Sequence, residues 1–334
     1  MAHQLEIRNG EASMMYVGEV PWHGLGTELK EPATAREAIK AAKLDWEVMK
    51  LPLFVHKDSR AVLRVEDRYG IVRSDLWKTG DCVVLGIVGP QYTPLQNSEA
   101  FTFFDPIVGE GEAVFHTAGV LDDGRRVWML AKLPDSILVV GDDVVDKYLL
   151  LSNSHDGSSA VQVKFTPIRV VCQNTLTMAL SEGRTVRVTH TRNVKQRLAN
   201  AQKTLGIIRR RYDEIEEAFK RMVQVQMRDD RLEKYLAAVF PDPGDPEDKA
   251  GRQRTEKDRM WAAHFFHEGQ GNTARGAKGT LWAAYNGVTE LIDHRATAHQ
   301  TEEKRLESLW FGDGYHVKAR AYAKAVELTR APAN

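Results

Sequence analysis

The hydrophobic period of the chain changes once, near His190, and that change constrains the fold more than any other feature. Upstream, short runs rich in β-branched and aromatic residues are punctuated by Gly, Asp and Pro, as in strands joined by turns. Downstream, Val194, Leu198, Ala201, Leu205, Ile208, Tyr212, Ile215, Phe219 and Met222 follow spacings of 4, 3, 4, 3, 4, 3, 4 and 3. That spacing puts them on one side of a long helix, and the seam must be buried against another helix, in this chain or in a partner subunit. Gly206 interrupts the seam, which favours a helical hairpin within the chain over a free coiled coil. The change of period divides the chain into an α+β domain, 1–190, and a helical region, 191–334. Pro241, Pro243 and Pro246 stop the helix, and the polar run behind them predicts an exposed loop near 241–256.

Within the first part, residues 46–56, 61–65, 69–74 and 83–88 read as strands. Residues 113–121 and 125–133 flank Asp122, Asp123 and Gly124, where glycine supplies the positive φ of a hairpin turn. Further strands are expected at 147–152, 160–165 and 185–189. Helices are expected at 34–43, opened by a Thr34 cap, and at 98–104, 173–181, 257–267, 278–294 and between Tyr315 and Leu328. Hairpin-linked strands with a few packed helices mean an α+β fold with a largely antiparallel sheet, followed by a helical C-terminal part, and not a doubly wound nucleotide fold.

Composition adds two exclusions. With 43% apolar residues and 28% charged ones among 334, the chain is neither disordered nor collagen-like. No run approaches the roughly 18 apolar residues of a membrane span, and the first residues lack the order of a secretory signal, so a cytoplasmic protein without a membrane partner is expected. Cys82 and Cys172 are too few for a disulfide framework or a structural zinc site.

The formal charge is zero, 46 bases against 46 acids, but the charge is unevenly spread. Residues 96–158 carry eleven acids and four bases, a net of −7; residues 159–211 carry eleven bases and one acid, a net of +10. Clustered Lys and Arg suit a polyanionic partner, because they release counterions from phosphate backbones. Equally, the acidic segment can neutralise the basic one across the fold.

Four motifs carry chemistry worth weighing. Gly271 to Lys278 imitates a phosphate loop, but Ala277 separates the second glycine from the lysine and no strand precedes it, so an NTPase is rejected. His264, His267 and Glu268 lack metalloprotease order and read as helix-face residues beside Phe265 and Phe266; no metal site and no cofactor is expected. Ser152 to Ser159 is the densest polar cluster. A hydrolase reading takes Ser154 or Cys172 as nucleophile with His155 and Asp156, whereas a turn that satisfies its own backbone uses the same residues. Around Trp22 and His23, two glycines make a flexible loop that either holds the aromatic against a ligand or caps the core.

In the basic segment, Lys164, Arg169, Arg184, Arg187, Arg192, Lys195 and Arg197 run along a predicted strand, the next strand and the adjoining helix. They can line one groove along a phosphate backbone, with Phe165 or Tyr92 as a stacking platform. Such a groove reads shape and charge, since no sequence-reading module is present.

The stretches PWHGLGT (21–27), GPQYTPLQN (89–97), SNSHDGSSAVQVKFTPIRVVCQNTL (152–176), HTRNVKQRLANAQ (190–202) and GTLWAAYNGVTELIDH (279–294) resemble the phage/plasmid-like protein family built on domain of unknown function 932. The resemblance implies a protein of bacteriophages, prophages and plasmids, and supplies no catalytic residues. Such elements pass through single-stranded intermediates. The expectation is therefore a non-enzymatic nucleic-acid-binding protein, acting on single-stranded DNA in replication or recombination as a homo-oligomer. The alternatives are a self-assembling protein or one that acts on a host factor, and an enzyme centred on His155 and Asp156.

Overall fold

The computed structural model describes residues 6–8, 11–18, 25–31, 33–58, 61–105, 113–169, 174–175, 186–203, 207–294, 308–309 and 312–330. In chain order the first elements are β1 (Ile7–Arg8), β2 (Glu11–Ala12), β3 (Met14–Val17), β4 (Thr27–Leu29), α1 (Ala35–Ala41), β5 (Val48–Asp58), β6 (Ala61–Arg73), α2 (Ser74–Thr79), β7 (Val84–Val88) and α3 (Asn97–Phe101). Then come β8 (Val114–Leu121), β9 (Arg126–Lys132), β10 (Ile137–Val140), β11 (Asp143–Asp146), β12 (Tyr148–Ser154), β13 (Val161–Phe165), β14 (Ile168–Arg169), β15 (Asn174–Thr175) and β16 (Val186–Val188). The helical part holds α4 (Val194–Lys203), α5 (Ile207–Gln224), α6 (Asp229–Val239), α7 (Lys249–Glu268), α8 (Leu281–His294) and α9 (Asp313–Arg330).

Seven strands form the main sheet in the order β16-β13-β12-β9-β8-β3-β4, antiparallel except for the β3–β4 pair. The fold is α+β, with a mixed main sheet, smaller antiparallel sheets, packed helices and a helical C-terminal part. β12, YLLLSNS, is buried at every position because both faces of the sheet are covered there. One face packs on a core running from Met15 through the α1 and α3 residues to Ala325 in α9. A smaller cluster on the other face joins Met14, Leu121, Trp128, Leu130, Leu150 and Leu309.

The helical seam is buried within the chain. Val194, Leu198, Tyr212, Ile215, Phe219 and Met222 are all buried, and the Phe219 ring centroid lies 4.7 Å from that of Trp282 and 6.3 Å from that of Tyr322. α8 and α9, later in the chain, cover the Phe219 end, while at the other end Tyr212 meets Phe165 of β13 and donates to the Tyr148 carbonyl of β12, so the sheet covers that part. α7 and α8 cross closely at Gly287, where a Cβ would sit 2.7 Å from the Ala262 carbonyl oxygen, so only glycine fits.

Several expectations need revision. Residues 61–65 and 69–74 belong to one continuous strand, β6, since Tyr69 to Val72 extend the same ladder against β5. The predicted long helix is divided into α4 and α5, with Leu205 and Gly206 outside the described residues. It ends at Gln224, where Gln226 bridges Thr280, and α6 starts afresh. Of the helix expected at 173–181, Asn174–Thr175 is instead a strand paired with β14, and the rest lies outside the described residues. The exposed loop near 241–256 is shorter than expected: Asp248 caps α7 by accepting from the Gly251 N–H at 2.8 Å, and Arg, Gln, Lys and Glu sustain a solvated helix.

Candidate functional site

Strand register assembles a cationic cluster on the face of the main sheet away from the large core. Residues directly opposite in a ladder share a face, as do residues two apart in a strand. Arg187 in β16 faces Gln162 in β13, Gln162 faces Ser152 in β12, Lys164 faces Leu150, and Ser154 faces Arg126 in β9. Three cations from three strands thus share one face with Ser152, Ser154 and Gln162. Arg187 is exposed and Arg126 half-buried, while Lys164 is only 6% exposed. From α9, Tyr315 lies over Lys164, its ring centroid 4.4 Å from Nζ. Burial, joined by the positive charges of Arg187 and Arg126, lowers the Lys164 ammonium to about 7. Among the described residues, the buried Gln162 side-chain oxygen has no hydrogen-bond partner. Beside Arg126, a cavity of about 230 Å³ is lined by Leu121, Asp122, Arg125, Arg126, Asp156 and Ser158.

The polar turn after β12 divides between the two faces of the sheet. His155 is fully buried on the large-core side, where Nε2 meets the Asn97 side-chain oxygen at 2.9 Å and the ring stands edge-on to Trp46. Asn97 is itself held by the Leu44 carbonyl at 3.0 Å. Burial, with the nearby His190 and Arg73, drives the His155 imidazole down to about 3 against the pull of Asp156, so the ring is neutral. Asp156 points the other way and accepts from the Ser154 hydroxyl and, at 2.8 Å, from the Ser158 N–H. Burial works to raise the Asp156 carboxyl, but these bonds and Arg126 together hold it below its usual value. The Ser154–His155–Asp156 relay is not formed: serine and aspartate bond directly, and histidine bonds Asn97. Cys172 lies outside the described residues.

Strand β7 braces this turn, because a Cβ on Gly86 would sit 2.4 Å from the Asp156 backbone. Gly86→Ala is therefore expected to displace the turn and cost on the order of 1–3 kcal/mol, read by urea unfolding; an unchanged midpoint would show that the two segments are not in contact.

The other sequence candidates are scattered around this cluster. Arg192 is exposed beyond β16. Lys195 is exposed and ion-paired with Glu99, a basic-segment residue neutralised by one from the acidic segment. Arg197 donates to the Thr189 hydroxyl at 2.6 Å. Arg169 belongs to β14, in a different sheet, and its side chain lies outside the described residues, as do Arg184, Trp22 and His23 altogether. Neither proposed stacking platform stands free. Phe165 alternates to the opposite face from Lys164 and packs edge-on against Tyr212, with centroids 5.3 Å apart. Tyr92 stacks on His190 and donates to the Ser154 carbonyl at 3.0 Å. The aromatic beside the cations is Tyr315, which no spacing in the sequence connects to Lys164. Arg126 sits in the acidic segment, where charge counting gives no reason to single it out.

Among the described residues no group of three His, Cys, Asp or Glu side chains could hold a metal ion, and no helix is long and apolar enough to cross a membrane. A family model described as a domain of unknown function (DUF932) matches residues 84–310, which span β7 to the approach to α9 and include all three cations. No curated protein and no solved structure matches the chain.

Proposed function

The chain belongs to the DUF932 family, and from that premise and the cations gathered on one sheet face we propose a non-enzymatic protein that binds single-stranded DNA. We place it in the DNA replication or recombination of a phage or plasmid, in the bacterial cytoplasm, acting as a homo-oligomer. The observation that carries the reading is the placement of Arg126, Lys164 and Arg187 on one sheet face, with exposed Arg192 beyond β16. A sheet face with cations at strand spacing holds phosphates without reading bases.

Binding of a labelled deoxythymidine oligomer at low salt is the direct test. Reversing Arg187 and Arg192 to Glu is expected to weaken binding at least tenfold and to flatten the salt dependence, by about 0.7 in log–log slope for each phosphate that is no longer neutralised. No binding at low salt, or equal binding by the double variant, would remove the basis for the reading.

One observation favours a second reading, a self-assembling or protein-binding role. The far half of the β5–β6 hairpin exposes Phe54, Val55, Val62 and Leu63, each more than half exposed. That role predicts a stable complex by light scattering that is indifferent to added nucleic acid.

A further inference from the structure

We propose that the outward face of the three-stranded sheet β5-β6-β7, with the β5–β6 ribbon that runs out beyond it, is where a second copy of this chain docks. The proposal rests on the homo-oligomer of the reading above and names the surface that builds it.

One face of this sheet packs on the large core through Val48, Ile71 and Val88. An antiparallel sheet covered on one side ordinarily turns polar residues to the other. Here the outward positions of β5 are Met49, Leu51, Leu53 and Val55, which share a side because they lie two apart in an extended strand. The ladder carries the same character across the sheet. Met49 faces Val72, Leu51 faces Gly70 and Val55 faces Leu63 in β6, and from there Val72 faces Val84 and Gly70 faces Ile87 in β7. At Gly70 a Cβ would sit 3.1 Å from the Leu53 side chain and 3.4 Å from that of Val84, so both lie over the glycine and the apolar face is continuous from β5 to β7.

β7 backs only the inner part of this sheet. It pairs with β6 from Tyr69 to Val72, whereas β5 and β6 stay paired out to Asp58 and Ala61. The outer half is thus a two-stranded ribbon, a form that is marginal in water by itself. Its second side adds Phe54 and Val62, beside Arg64 and His56. Among the described residues ten large hydrophobics are exposed, and eight of them fall between Phe54 and Ile87, a concentration that marks an interface and not scatter. With about half of each uncovered and roughly 150–250 Å² apiece, the eight present about 700 Å². A stable interface takes about 800 Å² from each partner, so two such surfaces brought together have the size of a dimer contact. An apolar patch with no charge at its centre is its own complement, and a two-fold axis sets it against itself.

The test is sedimentation equilibrium of the full chain at micromolar concentration, where the wild type is expected to be a dimer or larger. Val55→Lys with Leu63→Lys brings two lysines from each copy into the contact and is expected to weaken self-association at least about 100-fold. Both positions are exposed in the single chain, so the fold tolerates the change, and circular dichroism checks it. Ile87→Lys, on β7, is expected to weaken assembly too and decides the matter if the double variant does not fold. Met260→Lys alters an equally exposed apolar position on α7 and is expected to leave assembly unchanged. Folded variants at Val55, Leu63 and Ile87 that assemble like the wild type overturn this surface and leave the homo-oligomer standing. A wild-type chain that stays monomeric overturns both. A monomer that floats with phosphatidylcholine vesicles, and loses this with Val55→Lys and Leu63→Lys, gives the face to lipid and overturns the docking of a second copy.

Discussion

Lys318→Met is expected to cost about 3–5 kcal/mol of folding stability, because it removes one half of an ion pair in the protein interior. Lys318 in α9 donates to Asp293 in α8 at 2.7 Å, and the two side chains are 0% and 2% exposed. Removing the ammonium takes a close counter-charge away from a buried carboxylate, and desolvation then outweighs what the new methyl contributes by packing. Replacing both partners, Lys318→Met with Asp293→Leu, removes the buried carboxylate as well and is expected to recover most of the loss. Urea unfolding of the three proteins reads the difference. A single variant within about 1 kcal/mol of wild type would mean that water reaches the pair.

Acid is expected to unfold the protein earlier than its carboxylates alone would. Burial, with the charges of His190 and Arg73, holds His155 at about 3 in the folded state, and burial, with Lys132, holds His116 at about 4; His190 is lowered too. In the unfolded chain each imidazole takes up a proton near its ordinary value of about 6.5. The folded protein does not, so the unfolded state binds more protons at lower pH. This contribution is complete above about 6.5, falls as the pH drops through the window down to the folded value, and is level below it. For His155 alone the loss reaches about 3 kcal/mol by about pH 4, at roughly 1.4 kcal/mol per unit. His155→Gln keeps a side-chain amide opposite Asn97 and has nothing to titrate, so its unfolding free energy is expected to vary less steeply between about pH 6 and about pH 4. An identical slope in the variant would show that His155 is charged in the folded protein.

Most of the local structure is legible in the sequence because it depends on nearest neighbours. The Thr34 cap appears as a full capping box with Glu37, and the strands around Asp122 to Gly124 pair as expected, although the turn is a short 3₁₀ segment with Asp122 and Asp123 both at positive φ. The residue pattern ends central β12 at Ser152, yet the strand continues through the polar residues Asn153 and Ser154. The Asn153 side chain spans to the Leu95 carbonyl at 3.0 Å, a partner 58 residues away. α6 is hidden in the sequence because Asp229 and Asp230 follow so closely on the end of the seam helix that the two helices read as one.

The cationic site is half legible. Charge counting finds the basic segment. It cannot show that Lys195 is met by Glu99, that Phe165 turns inward, or that Arg126 and Tyr315 join Lys164. Strand register and helix docking decide those neighbours, and both are long-range.

By itself, then, the sequence determined the fold class, the place where strands give way to helices, and the existence of a seam that must be covered. These follow from periodicity and turn chemistry, which act over a few residues. Only the tertiary structure decided what covers the seam, which of the clustered cations meet on one face, and which lies under an aromatic ring out of water. Burial and opposing charge set the chemistry of a lysine, and both come from segments far away in the chain.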